Sequence, residues 1–175
     1  MEKATLAGGC FWCTEAIFKR LKGVRRVISG YSGGKLQNPS YGQVSSGASG
    51  HAEAIQIEFD PKIISYEKLL EVFFKLHDPT TKDQQGSDVG SQYRSVIFYH
   101  TDKQRKEAEQ MSEQMQKLYQ NPIVTEIVPF KNFYTAEGYH QNYYEKNSDA
   151  GYCRIVIDPK ITKLYKEFGS NVKED

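Results

Sequence analysis

The hydrophobic and polar positions of this chain follow two periods, one typical of strands and one typical of helices. Residues 3–8 form a short extended run before a glycine pair, and residues 10–22 have helical spacing that stops at Gly23. Residues 51–60 alternate apolar and polar side chains, which predicts a strand that Pro61 closes.

The same alternation of periods continues toward the carboxyl end. Ser65 is suited to cap a helix that turns the apolar side chains of residues 69–74 inward. Thr101 and Gln104 have the spacing of a capping box, for a helix that ends near Tyr119. Further strands are predicted at 24–34, 93–100 and 123–129, and further helical stretches at 136–146 and 161–168. Strands that alternate with helices indicate an α/β or α+β two-layer domain.

Two long polar connections separate these elements. They cover residues 32–50 and 78–92, and both are predicted to be loops without secondary structure. Such loops are uncommon in compact domains and are often functional, so we expect the functional site near them. Because no linker, repeat or low-complexity block divides the chain, we predict one domain over residues 1–175.

Composition narrows the possible functions. Hydrophobic residues make up 38% and charged residues 26% of the chain, as in an ordinary globular domain. The formal net charge is +1 and the basic residues are scattered, which argues against a nucleic-acid partner. Neither a membrane span nor a signal peptide is evident, so we expect a cytoplasmic protein. Three cysteines are too few for a disulfide scaffold and indicate reduced thiols with a function.

Cys10 and Cys13 enclose two bulky aromatic residues and follow a glycine pair. This spacing is compatible with half of a metal site, a redox disulfide or a catalytic nucleophile with a neighbouring thiol. Cys10 is expected at the first turn of a helix, where free N–H groups and the helix dipole favour a thiolate and lower the pKa. Gly8 and Gly9 are expected to let a substrate or another stretch of backbone approach the sulfur closely. The alternative is a buried structural cysteine behind a tight turn.

Glu53 falls on the apolar face of the predicted strand 51–60. The alternation groups it with Ile55, Ile57 and Phe59, so its carboxyl is expected to point toward the core or the rim of a cavity. Burial raises the pKa of a carboxyl group and keeps it protonated near neutral pH, as a general acid requires. A strand-end glutamate bonded to the backbone or to an arginine is the alternative.

A series of short motifs runs along nearly the whole chain: GGCFW, GYSGG, NPSY, GHAEA, HDPT, DVGSQYRS, EGYHQNYY and GYC. In this order they resemble the peptide methionine sulfoxide reductases of the A type. The resemblance implies a mixed, mainly antiparallel sheet with helices packed on it and a ferredoxin-like core. It also implies an enzyme that reduces the S epimer of methionine sulfoxide, free or in proteins.

The resemblance assigns roles to single residues. Cys10 matches the nucleophile that attacks the sulfoxide sulfur, and Glu53 matches the acid that protonates the sulfoxide oxygen. The substrate contacts implied are Phe11 and Trp12 for the methyl group, Tyr41 and Tyr93 for the oxygen, and Asp88 as a supporting carboxylate. His140 either helps to order the pocket or is a satisfied core histidine.

Attack would leave Cys10 as a sulfenic acid, which must condense with a second thiol. Cys153 matches the family's tail cysteine, and the segment 147–175 is predicted to be mobile enough to bring it to Cys10. Cys13 is the nearer candidate, but helical geometry disfavours a direct bond to Cys10, so Cys153 is preferred. The resemblance implies that thioredoxin, or dithiothreitol in vitro, reduces the disulfide, with no bound cofactor. We expect a monomer without a membrane partner.

Two other function classes remain open from the sequence. A thioredoxin-like disulfide oxidoreductase would use Cys10 and Cys13 as its redox pair, but it leaves Glu53 and Cys153 unexplained. A zinc-binding or redox-sensing module would need four ligands with paired spacing, whereas the chain has one CxxC and no second pair among its four histidines.

Overall fold

The structure is a computed structural model that describes residues 1–174. Its strands are β1 (Glu2–Ala7), β2 (Val24–Ser32), β3 (Ala52–Phe59), β4 (Gln84–Gln85), β5 (Asp88–Val89), β6 (Val96–Tyr99), β7 (Glu126–Pro129) and β8 (Tyr134–Thr135). Its helices are α1 (Phe11–Phe18), α2 (Tyr41–Ser45), α3 (Tyr66–Leu76), α4 (Asp102–Gln116), α5 (Tyr143–Lys146) and α6 (Asp158–Phe168). No helix within the described part of the chain is long and apolar enough to cross a membrane.

Six strands form one sheet in the order β7-β6-β1-β3-β2-β8. Neighbouring strands are antiparallel except β6 and β7, which are parallel. The four central strands, with α1 and α3 as the connecting helices, have the order of a ferredoxin-like fold. The structure therefore confirms the predicted α/β class and the mixed, mainly antiparallel sheet. A separate hairpin, β4–β5, lies outside this sheet.

The strongly periodic segments fold as predicted. In α3 the side chains of residues 69–74 that the pattern marked as apolar are buried, and the Ser65 hydroxyl caps the helix by accepting a hydrogen bond from the Lys68 N–H. Helix α1 is shorter than predicted and ends at Phe18. Leu21 leaves the helix because it pairs with Val172 in an isolated β-bridge.

The prediction of two unstructured loops was wrong in detail. The connection 32–50 contains α2, which begins with a capping box formed by Ser40 and Gln43. The connection 78–92 contains the β4–β5 hairpin and ends in a 3₁₀ turn, Ser91–Tyr93. The strand predicted from residue 93 therefore begins only at Val96, because Tyr93 belongs to that turn.

The carboxyl-terminal segment packs on the rest of the molecule. Tyr152 precedes a π-helical turn, Cys153–Ile157, which continues directly into α6. Leu164 and Phe168 of α6 are buried in the main core. The Lys22 N–H donates to the Asn171 carbonyl at 2.8 Å. Mobility of the segment 147–175 stays a prediction.

Candidate active site

The turn between β1 and α1 presents Cys10 as the residue that precedes the helix. Its backbone is extended, with φ −65° and ψ 129°, and its carbonyl accepts the Cys13 N–H at 3.0 Å. Gly9 has φ +86°, and a Cβ there would lie 2.7 Å from a side-chain atom of Gln85. A Cβ on Gly8 would lie 2.9 Å from the Phe73 ring. The glycine pair therefore makes room for side chains of the protein itself, and the approach of a substrate to the sulfur stays a prediction.

Glu53 lies beneath this turn on β3 and is buried. Its Oε1 accepts the Phe11 N–H at 3.1 Å, which holds the carboxyl group next to Cys10. Burial, with a smaller contribution from the negative charge of Asp88, raises the pKa of Glu53 to about 8. The hydrogen bond from the Phe11 N–H opposes these effects but is outweighed. The carboxyl group is therefore mostly protonated at neutral pH, as a general acid must be.

The Cys10 thiol does not have the lowered pKa that its position at a helix start predicted. Burial raises its pKa well above the ordinary value, and the charge of Glu53 adds to this effect. A hydrogen bond from the Trp12 N–H acts in the opposite direction but is the weaker influence. The effect of burial on the pKa of Cys10 is therefore larger than the effect of the helix start. Cys10 is only 8% exposed, and one hydrogen bond replaces little of the hydration that its thiol loses.

Cys13 is the more acidic of the two neighbouring thiols. A hydrogen bond from Cys10 is the main cause that lowers the pKa of Cys13 to about 7, against the opposing effect of burial. Cys10 precedes α1 and Cys13 lies in its first turn, so both thiols belong to the start of this helix. That helical geometry disfavours a direct bond between them stays a prediction.

Phe11 and Trp12 form an aromatic wall beside the thiols. Phe11 is buried against Tyr31 and His140, with ring centroids 5.7 Å and 5.0 Å apart. Trp12 is half-buried and stacks on Tyr143, with centroids 3.6 Å apart and planes 6° apart. Its indole N–H donates to Nδ1 of His140 at 3.0 Å.

Tyr41 and Tyr93 are half-buried, and their hydroxyls retain their protons. Burial, followed by the charge of Glu53, raises the pKa of Tyr41 to about 12 and raises that of Tyr93 as well. Both hydroxyls are thus hydrogen-bond donors at any physiological pH. Glu137 fixes the start of α2, because its Oε2 accepts the Tyr41 N–H at 2.9 Å and its Oε1 accepts the Tyr31 hydroxyl at 2.8 Å.

Asp88 and the carboxyl-terminal segment meet beside Cys13. The Tyr152 hydroxyl donates to Oδ2 of Asp88 at 2.7 Å and lies 3.7 Å from the Cys13 sulfur. Cys153, the next residue, is completely buried, and burial raises the pKa of its thiol. All three cysteines are free thiols. Cys153 lies close enough to Cys13 for the Cys13 charge to affect its pKa.

Sequence reasoning missed three residues that complete the site, Glu137, Tyr143 and Tyr152, and it did not predict the contact of His140 with Trp12. The EGYHQNYY and GYC motifs carried these residues, but nothing in their spacing indicated that they fold back onto the first helix. Within residues 1–174 no three His, Cys, Asp or Glu side chains come together in a way that could hold a metal ion.

Cys10 beside the protonated carboxyl of Glu53, with two further free thiols nearby, is the arrangement of a cysteine-dependent oxidoreductase on an α/β fold. The family model described as "Peptide methionine sulfoxide reductase" matches residues 2–172. The chain belongs to this family.

Individual relatives agree with that assignment. The chain is 56% identical over 168 residues to peptide methionine sulfoxide reductase MsrA of Sulfolobus acidocaldarius, with 96% of each chain covered. It superposes on reduced Mxr1 from Saccharomyces cerevisiae with a TM-score of 0.83 and 39% identity, covering 87% of this chain and 88% of that one. The structure of Mxr1 in complex with Trx2 superposes on the chain with a TM-score of 0.58 and 31% identity. The match covers 81% of this chain and 84% of that one.

These findings make the chain an enzyme, an oxidoreductase of the methionine sulfoxide reductase A type. They decide against the thioredoxin-like disulfide oxidoreductase and against a non-catalytic zinc-binding or redox-sensing module.

Proposed function

We propose that this enzyme reduces the S epimer of methionine sulfoxide, free and in proteins, to methionine. The observation that carries the proposal is the buried carboxyl of Glu53, which the 3.1 Å hydrogen bond from the Phe11 N–H holds next to Cys10. The names of the relatives support the substrate. The choice of epimer follows from the chirality of the sulfoxide sulfur, because each epimer has its own enzyme.

The first step transfers protons through Glu53 and moves one oxygen. Protonated Glu53 donates its proton to the sulfoxide oxygen as the Cys10 sulfur attacks the sulfoxide sulfur, and the Cys10 thiol proton replaces it on Glu53. The protonated oxygen then leaves the substrate and bonds to the Cys10 sulfur. The products are methionine and a Cys10 sulfenic acid, so the thiol is oxidised as the sulfoxide is reduced. A positioned acid of this kind contributes about 10²–10⁴ in rate.

The aromatic wall orients the substrate for this attack. Phe11 and Trp12 contact the substrate methyl group, while the hydroxyls of Tyr41 and Tyr93 donate to the sulfoxide oxygen. Burying one methyl group contributes only about 0.8 kcal/mol. The wall therefore selects orientation and epimer more than it supplies affinity. Asp88 supports the site through its charge, which helps to keep Glu53 protonated.

The sulfenic acid is resolved by the two remaining thiols in turn. Cys13 lies in the helical turn that Cys10 precedes and has a pKa of about 7, so we propose that it forms the first disulfide and releases water. Cys153, beside Tyr152 and near Cys13, then attacks Cys13 and frees Cys10. Direct attack by Cys153, which the sequence favoured, is the alternative order.

A dithiol protein of the thioredoxin type is the proposed reductant, and dithiothreitol replaces it in vitro. The complex of the yeast relative Mxr1 with Trx2 supports this partner. We propose that the enzyme acts as a monomer in the cytoplasm, where such reductants keep its three thiols reduced.

Turnover of each purified epimer with dithiothreitol tests the proposal. Wild-type enzyme should reduce the S epimer, and Cys10→Ser should be inactive. Mass spectrometry after one equivalent of substrate should show a Cys10–Cys13 disulfide in Cys153→Ser. Absence of S-epimer turnover would refute the activity. A direct Cys10–Cys153 disulfide accumulating first in wild type would reverse the order of the thiols.

A further inference from the structure

His140 is buried within the aromatic wall. Its ring centroid lies 4.5 Å from that of Tyr41, 5.0 Å from Phe11 and 5.8 Å from Trp12. These are ordinary aromatic packing distances, which another aromatic ring would satisfy equally well. Packing therefore does not explain why a histidine stands at this position.

The hydrogen bonds of His140 set it apart from the two other fully buried histidines. His51 and His77 each use both ring nitrogens in hydrogen bonds. His140 uses only Nδ1, which accepts the Trp12 indole N–H, while its Nε2 has no partner among residues 1–174. Its polar contact within the described protein is thus with Trp12, and an acceptor at Nδ1 requires the proton on Nε2.

Trp12 is held by its aromatic neighbours through packing alone, since Tyr143 stacks on its face and Tyr152 lies edge-on to it with ring centroids 5.8 Å apart. The parallel stack on Tyr143 fixes the plane of the indole ring. A stacked ring can still slide and turn within its own plane. The hydrogen bond to His140 removes that freedom, because it fixes the position of the indole N–H edge.

We propose that His140 is a positioning residue that holds Trp12 in the orientation in which it forms the substrate wall. The inference rests on the proposed role of Trp12 in binding the sulfoxide methyl group. Loss of the acceptor leaves the thiol chemistry of Cys10 intact but loosens the wall. A histidine in this role acts through Trp12 and does not take part in the proton transfers.

Substitutions at position 140 separate packing from hydrogen bonding. His140→Phe keeps an aromatic ring and removes the acceptor. His140→Asn keeps an oxygen near the position of Nδ1 that accepts the indole N–H. His100→Phe is the matched control, because His100 also stacks on an aromatic ring, Phe130, at 4.3 Å but lies outside the site.

Fluorescence reports directly on the proposed contact, because Trp12 is the one tryptophan of the chain. In reduced, substrate-free enzyme we expect the emission maximum to shift in His140→Phe and to return toward the wild-type value in His140→Asn. We expect KM for methionine sulfoxide to rise about three- to tenfold in His140→Phe with kcat nearly unchanged, and to recover in His140→Asn. His100→Phe should change neither quantity.

The two readouts distinguish this inference from the proposed function. If wild-type enzyme turns over sulfoxide but His140→Phe keeps wild-type emission and KM, the positioning role is wrong. Equal effects of both His140 variants would indicate a packing role and also overturn it. If wild-type enzyme shows no turnover, the proposed function fails, while the emission shift still tests the Trp12 contact.

Discussion

At the residue scale, Glu53 is subject to influences that favour opposite charge states. The Phe11 N–H stabilises the carboxylate, whereas burial and the charge of Asp88 stabilise the neutral acid. The outcome is a pKa of about 8. A pKa near the working pH allows one carboxyl group both to donate its proton to the sulfoxide oxygen and to take up the Cys10 proton afterwards.

Replacing Glu53 by glutamine should remove this proton transfer while preserving the site. The amide has the same shape, and its oxygen can still accept the Phe11 N–H. We expect methionine release in a single turnover to slow about 10²–10⁴-fold with little change in substrate affinity. Rapid quenching measures this rate, and Glu58→Gln on the same strand is the control. If the rate of methionine release fell by less than about tenfold, Glu53 would be excluded as the acid.

The same substitution should change how stability depends on pH. The pKa of Glu53 rises from 4.5 to about 8 on folding, so the folded state binds this proton more tightly than the unfolded state. The free energy of unfolding therefore falls as pH rises through this interval. Glu53→Gln has no such group to ionise, so its free energy of unfolding should be higher than that of wild type at pH 9, by about 2 kcal/mol or more. At pH 4 it should not be higher. Urea unfolding in dithiothreitol measures the free energy of unfolding of both proteins at each pH. Parallel curves of this free energy against pH would contradict the raised pKa of Glu53.

The sequence placed Glu53 inward correctly but gave the wrong pKa direction for Cys10. Strand alternation has a strict period of two, so the face of a residue can be predicted from its neighbours. The pKa of a thiol depends on burial and on charges brought from other elements. Glu53 and Cys13 exert those influences on Cys10 only after folding.

At the element scale, the turn from β1 into α1 depends on Gly9. Its φ of +86° is strained for any other residue, and a Cβ would contact Gln85 at 2.7 Å. Gly9→Ala should cost about 1–3 kcal/mol in the free energy of unfolding and reduce kcat by displacing Cys10. Gly169→Ala is the control, because a Cβ there meets nothing within 4 Å. Equal stability of the two variants would refute this account.

Elements with long apolar repeats were predictable, and short elements were not. Helix α3 buries a continuous apolar face, so its period is visible in the sequence. Helix α2 has five residues, of which only Val44 is buried, so it shows no period. Its capping box, Ser40 and Gln43, was the one available signal.

At the scale of the whole molecule, the site joins distant parts of the chain. Glu53 reaches the start of α1 across 42 residues, His140 reaches Trp12 across 128, and Tyr152 reaches Cys13 across 139. The periodicity of hydrophobic residues predicts the helices and strands, but it does not predict these contacts between them. Only the resemblance to a known family indicated which of the distant residues belong together, and it did not include Tyr152.

The packing of the carboxyl-terminal segment should control how quickly Cys153 enters the redox sequence. Cys153 is completely buried, so its sulfur must move before it can attack Cys13. Leu164 of α6 is also completely buried, and Leu164→Ala should destabilise the protein by about 2–5 kcal/mol and loosen this segment. Methionine release in the first turnover should keep its wild-type rate, because Cys10 and Glu53 lie outside the segment.

The disulfide that involves Cys153 should then form faster in Leu164→Ala than in wild type. Quenched samples analysed by mass spectrometry give the rates of both steps. Met115→Ala is the control, since it opens a cavity in the same core but on α4, and it should leave both rates unchanged. If Leu164→Ala left the rate of this disulfide unchanged, release of the packed segment would not limit the second thiol step, and Cys153 would reach Cys13 by a motion too small for α6 to hinder.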